Sequence, residues 1–168
     1  MGLYGIYTQV SDAELVDIRS LPLSQIEDRV FDLSEGENVP ELDIGTAWDG
    51  VHFLLTGVSA RHARHGDALS EAITGEGRLL GSDVSFVAYT TTERLRAIVG
   101  ALEQQDVPGL LARRTVEEFR QAAIYPGAHW STDAIQQLLA QCAEELTTLE
   151  AFFRGAVLHE MNIIVEIG

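Results

Sequence analysis

The sequence predicts an α+β fold: a single compact domain in which a small mixed β-sheet, containing both the N- and C-terminal strands, is covered by several helices. Three observations lead to this prediction. β-rich segments stand near both ends of the chain, and segments with helical periodicity fill the interval between them. Residues 163–165 are apolar on both faces, as in a central strand under a helical layer. No linker or repeat divides residues 1–168, so we expect one domain.

The N-terminal third predicts one strand and three helices. Residues 3–10 alternate loosely between apolar and polar types, which is typical of a strand. Residues 11–14 (Ser-Asp-Ala-Glu) have the capping-box spacing of a helix start, and a second helix begins near Pro22. A third helix covers residues 47–56, and Gly57 ends it because glycine readily adopts the left-handed conformation of a C-cap.

The middle of the chain predicts short elements around a second strand. A short helix covers residues 67–73, the glycine-containing stretch 75–81 is an irregular connection, and residues 84–89 form a strand. Two further capping boxes, residues 90–93 and 115–118, each open a helix.

The C-terminal part predicts the longest helix and a closing strand. Residues 131–159 carry a continuous apolar stripe, and residues 162–167 form a β-rich run. Cys142 lies on this stripe, so we expect it to pack rather than react. It is the single cysteine, which excludes a disulfide within the chain and a cysteine-based zinc site.

The chain is strongly acidic. Its 168 residues include 11 Arg, no Lys and 26 Asp or Glu, giving a formal charge of −15. Binding along a nucleic-acid backbone or an anionic membrane surface needs clustered positive charge. We therefore expect neither nucleic acid nor a membrane as a partner. The lone cysteine and the absence of a signal-peptide pattern or an apolar span predict a cytoplasmic protein.

The acidic residues are concentrated near the N-terminus. Residues 1–60 contain 2 Arg and 11 acidic residues, a net charge of −9, whereas residues 61–130 carry −1 and residues 131–168 carry −5. Seven acidic residues bunch together, opposed only by Arg29: Glu27, Asp28, Asp32, Glu35, Glu37, Glu41 and Asp43. This bunch is either a solvated face that keeps the protein in solution or a docking surface for a basic protein.

The densest polar group within an apolar segment lies on the predicted helix 47–56. Trp48 and His52 are four residues apart and Asp49 and His52 are three apart, so all three can share one patch of the helix. Asp49 could fix the tautomer of His52, as a general base requires. The alternative is a structural polar network that holds the helix in place, because buried polar groups need hydrogen-bond partners.

Other candidate sites are weaker. The turn around Tyr125 offers aromatic groups that either line a pocket or plug the side of the domain. Residues 61–67 form a basic island with two histidines, whose arginines repel a metal cation and could instead hold a phosphate. We interpret this segment as an exposed loop. We find no Gly-x-Ser-x-Gly turn, phosphate loop or H-E-x-x-H helix. We therefore expect no catalytic residue, cofactor or metal site of a known type.

Three segments stand out together: the opening Met-Gly-Leu-Tyr-Gly, the run from Leu-Asp-Ile through Trp-Asp-x-x-His-Phe-x-Leu-Thr-Gly, and Ile-Tyr-Pro-Gly. They resemble the YfbM-like family of small bacterial proteins, which comprise a domain of unknown function. The resemblance covers essentially the whole chain and implies a compact α+β domain, a bacterial source and a cytoplasmic location. It implies no reaction and no catalytic residues. It does supply motif positions, which would form either a pocket or a structural network: Asp43, Trp48, Asp49, His52, Thr56 and Tyr125.

Three hypotheses follow for function. The first is a non-enzymatic binding module that engages a basic protein through its acidic surface. The second is a small-molecule enzyme with His52 as base and Asp49 as its orienting partner, in a pocket shaped by Trp48 and Tyr125. The third is a homo-oligomer in which the long helix 131–159 pairs with its copy.

Overall fold

The computed structural model describes residues 2–168, and its strands and helices follow the predicted order closely. The five strands are β1 (Gly5–Val10), β2 (Glu41–Asp43), β3 (Gly77–Gly81), β4 (Phe86–Thr90) and β5 (Asn162–Ile167). The eight α-helices are α1 (Asp12–Ser20), α2 (Leu23–Ser34), α3 (Trp48–Thr56), α4 (Ala68–Thr74), α5 (Thr92–Glu103), α6 (Val107–Arg113), α7 (Val116–Gln121) and α8 (Thr132–Leu158).

All five strands form one sheet with the order β2-β1-β5-β4-β3. Both terminal strands belong to this sheet and β5 is central, as predicted, and β1 and β5 are also neighbours. The prediction of a mixed sheet is wrong in this detail, because every neighbouring pair is antiparallel. A strand that is apolar on both faces is typical of a parallel sheet. Here β5 shows the same pattern because helices cover both of its faces.

The two faces of the sheet support two separate apolar clusters. On one face α3, α5 and α8 pack over strand residues such as Tyr7, Ile163 and Val165. On the other face α1 and α2 cover Val87 and Ile164. The domain therefore has three layers, with helices on each side of the sheet, and the predicted α+β architecture is confirmed.

Most predicted helix boundaries are confirmed by their caps. Full capping boxes close at Ser11 with Glu14 and at Thr115 with Glu118. Gly57 ends α3 with a φ of 81°, in the left-handed region that glycine adopts without strain. The long helix α8 differs from the predicted residues 131–159 by one residue at each end.

Two predictions in the middle of the chain are wrong. The stretch 75–81 is not an irregular connection, since it contains β3, which pairs with β4 across a register shift between Arg78 and Leu80. The cap of α5 is Thr91 rather than Thr90. The carboxylate that completes this cap comes from Glu76, whose Oε2 accepts from the Thr91 backbone N–H at 2.9 Å and from its hydroxyl at 2.7 Å. A partner 15 residues away is invisible to a local spacing rule.

None of the helices within residues 2–168 combines the length and the apolar character that crossing a membrane requires.

Candidate functional site

The candidate site is built on α3, which lies almost wholly inside the domain. Eight of its residues, Trp48 to Leu55, are buried between the sheet and the neighbouring helices. Gly50 permits this arrangement, because a Cβ at this position would collide with the Cys142 sulfur atom of α8. Any polar side chain on α3 must therefore find its hydrogen-bond partners inside the protein.

Asp49 is a buried carboxylate that joins three segments of the chain. Its Oδ1 accepts from the Ala60 backbone N–H at 2.7 Å and from the Ser59 hydroxyl at 2.9 Å. Its Oδ2 accepts from the Tyr125 backbone N–H at 2.8 Å. A buried carboxylate is tolerated when hydrogen-bond donors surround it in this way. Asp49 thus fixes the loop after α3 and the turn at Tyr125 against the helix.

His52 is fully buried and uses both ring nitrogens. Nδ1 lies 2.9 Å from the Val58 carbonyl oxygen, which can only accept, so Nδ1 carries the proton. Nε2 lies 3.1 Å from the Ser70 hydroxyl and accepts from it. Burial lowers the pKa of His52, although the Val58 carbonyl and the charge of Asp49 oppose this shift. The ring is therefore a neutral bridge between α3, the following loop and α4.

Thr56 completes the turn that follows α3. Its hydroxyl donates to the His52 carbonyl oxygen at 2.8 Å and accepts from the Val58 backbone N–H at 3.3 Å. A threonine hydroxyl that bonds back to the carbonyl four residues earlier is a local helix-end contact. These bonds position the Val58 carbonyl oxygen so that it accepts from Nδ1 of His52.

Trp48 and Tyr125 form a stacked aromatic pair that holds the N-terminal segment. Their ring centroids are 5.7 Å apart with an interplanar angle of 26°. The Trp48 indole N–H donates to the Leu3 carbonyl oxygen at 3.1 Å, and the Tyr125 hydroxyl accepts from the Leu3 backbone N–H at 2.7 Å. The pair therefore stabilises the segment that precedes β1. The peptide bond between Tyr125 and Pro126 is cis.

Asp43 stands apart from the other five motif positions. It is an exposed residue at the end of β2, and its Oδ1 accepts from the Gly45 backbone N–H at 2.6 Å. This contact closes the turn that leads towards α3. Within residues 2–168 it shares no hydrogen bond with Trp48, Asp49 or His52.

The geometry of these residues is that of a structural polar network. Asp49 and His52 share a helix face but bond to different partners, and neither bonds to the other. Among the surface cavities of the described residues, the five best formed have volumes of 320 to 590 Å³, and none of these five is lined by Asp49, His52 or Tyr125. The network partners Ser59 and Ser70 escaped sequence reasoning, since serine is common in loops and at helix starts.

Two other candidate side chains, His65 of the basic island and Cys142, also make contacts within the protein. In the basic island, the exposed His65 lies 3.4 Å from the buried Glu71 carboxylate, which also pairs with Arg94 of α5. Burial raises the pKa of the Cys142 thiol to about 12, so this side chain packs beneath Gly50 as expected. Within the described part of the chain, no three His, Cys, Asp or Glu side chains are grouped so as to hold a metal ion.

One polar residue that sequence reasoning missed faces a cavity. Glu166 is the single charged residue in the apolar strand β5, and it lines a cavity of about 540 Å³ at the edge of α2. Its isolated charge within Asn162–Ile167 was the available signal, because an ionised side chain is rare in a strand covered on both faces.

Comparison with known proteins agrees with the fold and with the resemblance noted in three segments. A family model described as "Domain of unknown function (DUF1877)" matches residues 1–166. Protein YfbM of Escherichia coli (strain K12) is 27% identical in an alignment of 168 positions that covers 98% of this chain and 99% of that protein. The crystal structure of YfbM from Escherichia coli, a protein of unknown function, matches with a TM-score of 0.82 at 25% identity, covering 98% of this chain and 99% of that chain. This chain therefore belongs to the DUF1877 family.

Proposed function

We propose that this protein is a non-enzymatic interaction module that binds a basic protein partner through an acidic face on α2, β2 and the segment between them. The acidic face consists of Glu27, Asp28, Asp32, Glu35, Glu37, Glu41 and Asp43. All seven side chains belong to exposed residues, and none of them forms an ion pair with another residue of the described chain. Unpaired carboxylates at this density favour encounter with a positively charged partner.

The same region also offers apolar contact area, and this combination carries the proposal. Leu23 and Phe31 of α2 are 68% and 61% exposed. With Glu27 between them they follow the spacing i, i+4, i+8, so they form one ridge of the helix. Protein interfaces combine a few large apolar or aromatic anchors with a polar rim. The ridge supplies anchors, and the surrounding carboxylates supply a charged rim.

The positive side chains of this part of the chain do little to neutralise the acidic face. Arg29 is the only arginine between residues 20 and 60 of this lysine-free chain, and its Nε donates to the Asp17 carboxylate at 2.9 Å. That interaction lies between α1 and α2 and leaves the acidic face itself uncompensated.

The enzyme hypothesis has less support from the geometry. A general base needs a nitrogen or oxygen atom directed at a substrate proton. In His52 one ring nitrogen donates to a backbone carbonyl and the other accepts from Ser70, and the residue is fully buried. The surface is therefore the better place to seek a function.

A labelled octa-arginine peptide tests the proposal by fluorescence anisotropy. We expect binding at low salt, with the affinity falling roughly tenfold or more towards 0.3 M NaCl because salt screens exposed charges. The double variant Glu35→Gln/Glu37→Gln should bind the peptide several-fold more weakly than the wild type.

The matched control removes two charges that lie outside the face. Glu117 of α7 and Asp133 of α8 are also exposed, so Glu117→Gln/Asp133→Asn has the same net charge as the first variant. We expect the control to bind like the wild type. Equal weakening in both variants would show that the peptide senses only net charge, and the proposed face would be wrong.

A further inference from the structure

The cavity beside Glu166, named here the β5 cavity, opens between α2 and the sheet at the edge of the acidic face. Its volume is about 540 Å³, within the range of roughly 300–1,000 Å³ that ligand sites occupy. Its lining includes two carboxylates, two phenylalanines and aliphatic residues: Glu27, Glu166, Phe31, Phe86, Leu80 and Val87.

Glu166 supplies an unpaired charge in this cavity. It alternates with Ile164 on the α1 and α2 side of β5, and its cross-strand neighbours are Val87 and Ile6. It forms no hydrogen bond or ion pair through its side chain with any residue of the described chain. Burial raises the pKa of Glu166, and the charges of Glu41 and Glu27 add to the shift. A half-buried carboxylate among aliphatic side chains is stabilised when a cation approaches it.

The mouth of the cavity carries groups that suit a planar cation. Phe31 stands at the rim with most of its surface exposed, and Glu27 lies one helical turn before it. Guanidinium groups bind carboxylates through paired hydrogen bonds and stack against aromatic rings. The long apolar stem of an arginine can also pack along aliphatic side chains such as Leu80.

We propose that the β5 cavity binds an arginine side chain of the basic partner. The guanidinium group lies against the carboxylates of Glu166 and Glu27, and the stem packs along Phe31 and Leu80. An arginine fits better than a lysine, because its charge is spread over a plane and loses less hydration energy on entering a half-buried site. This inference rests on the proposed function and names the anchor residue of that interface.

Capped arginine, N-acetyl-L-arginine N-methylamide, tests the cavity in an NMR titration. We expect saturable shifts of the Val87 and Glu166 amide resonances. The citrulline analogue has the same shape without the charge and should produce none. Free L-arginine should bind no more tightly than the capped form, because the proposed contacts involve only the side chain and the α-ammonium and α-carboxylate charges cancel. Tighter binding of free arginine would indicate a small-molecule site and would overturn the proposal.

The decisive variant is Glu166→Gln, which keeps the side-chain shape and removes the unpaired charge. We expect it to fold and to bind capped arginine about tenfold more weakly, since a charge-assisted hydrogen bond is lost. The exposed Glu27→Gln should weaken binding in the same direction, and Glu144→Gln should have no effect. Unchanged affinity in Glu166→Gln, or shifts located elsewhere on the protein, would overturn the proposal.

The two proposals fail in distinguishable ways. If octa-arginine binding responds to Glu35→Gln/Glu37→Gln but capped arginine ignores Glu166→Gln, the acidic face stands and the β5 cavity is wrong. If capped arginine depends on Glu166 while octa-arginine treats both double variants alike, the cavity binds arginine without the acidic face.

Discussion

Asp49 and His52 lie about one helical turn apart and are both buried, but their polar groups are stabilised in different ways. Asp49 is surrounded by donors from Ser59, Ala60 and Tyr125. His52 instead stays neutral, because its two nitrogens face one acceptor and one donor. Both side chains fasten loops to α3, so substitutions at either position should act first on stability.

The buried neutral state of His52 predicts that acid destabilises the protein. An unfolded histidine has a pKa near 6.5, and the folded value lies below it. The contribution of neutral His52 to the free energy of unfolding is therefore fully present above about pH 6.5. As the pH falls below this value, the histidine binds a proton in the unfolded state but not in the folded state. The free energy of unfolding should drop by up to about 1.4 kcal/mol per pH unit until the folded pKa is reached.

Urea unfolding between pH 7 and pH 5.5 measures this slope. The variant His52→Gln should be less stable than the wild type at pH 7 but should lose less stability as the pH falls. The carboxyl groups with raised pKa, Glu145 and Glu166, act in the opposite direction and are present in every protein compared. His129→Gln, at an exposed site, serves as the control and should keep the wild-type slope. A wild-type slope in His52→Gln would contradict the prediction.

The sequence revealed the members of the buried network but not their partners. The spacing of Trp48, Asp49, His52 and Thr56 on one helix follows directly from 3.6 residues per turn. Their partners include the backbone groups of Leu3, Val58 and Ala60. Every residue has such groups, so no residue type marks them. Whether the helix faces a cavity or the core is decided by packing across distant segments.

At the scale of elements, the close approach of α3 and α8 depends on Gly50. Substitution Gly50→Ala would place a methyl group against the Cys142 sulfur. We expect a loss of about 2 kcal/mol from overpacking, partly offset by the better helix propensity of alanine. Removing the sulfur with Cys142→Ala should recover part of that loss, so the double variant should be more stable than the two single effects predict.

The matched control for this prediction is Gly100→Ala. Gly100 lies within α5, and a Cβ there meets no atom within 4 Å. It should stabilise the protein by roughly 0.5–1 kcal/mol through helix propensity alone. Denaturant midpoints of the four variants are the measurement. Additive effects of Gly50→Ala and Cys142→Ala would show that the two side chains do not compete for space.

Elements were predictable where their signals are local. The caps of α1 and α7 were found because both partners lie within four residues. The short strand β2 escaped, since its three residues owe their conformation to pairing with β1 more than 30 positions earlier. β3 escaped for a similar reason, because its flanking glycines suggest a loop and only its pairing with β4 makes it a strand.

For the whole molecule, the apolar stripe of α8 is already used within the domain. Its large apolar residues pack against the core that contains α3 and α5, and Leu158 is the one large hydrophobic residue on this helix exposed within the described chain. Pairing with a second copy needs a broad apolar patch. We therefore expect a monomer in sedimentation at micromolar concentration. A dimer that Leu158→Ser dissociates would support the homo-oligomer hypothesis instead.

The position of β5 between β1 and β4 also affects how the chain folds during its synthesis. A ribosome makes β5 after the other four strands, so only the pairs β2–β1 and β3–β4 of the sheet can form before β5 is available. Each pair then exposes an unpaired edge, which is a template for association with other chains. The negative charge of the early residues repels neighbouring nascent chains during that interval. We therefore expect the acidic segment to limit association between nascent chains before β5 is made.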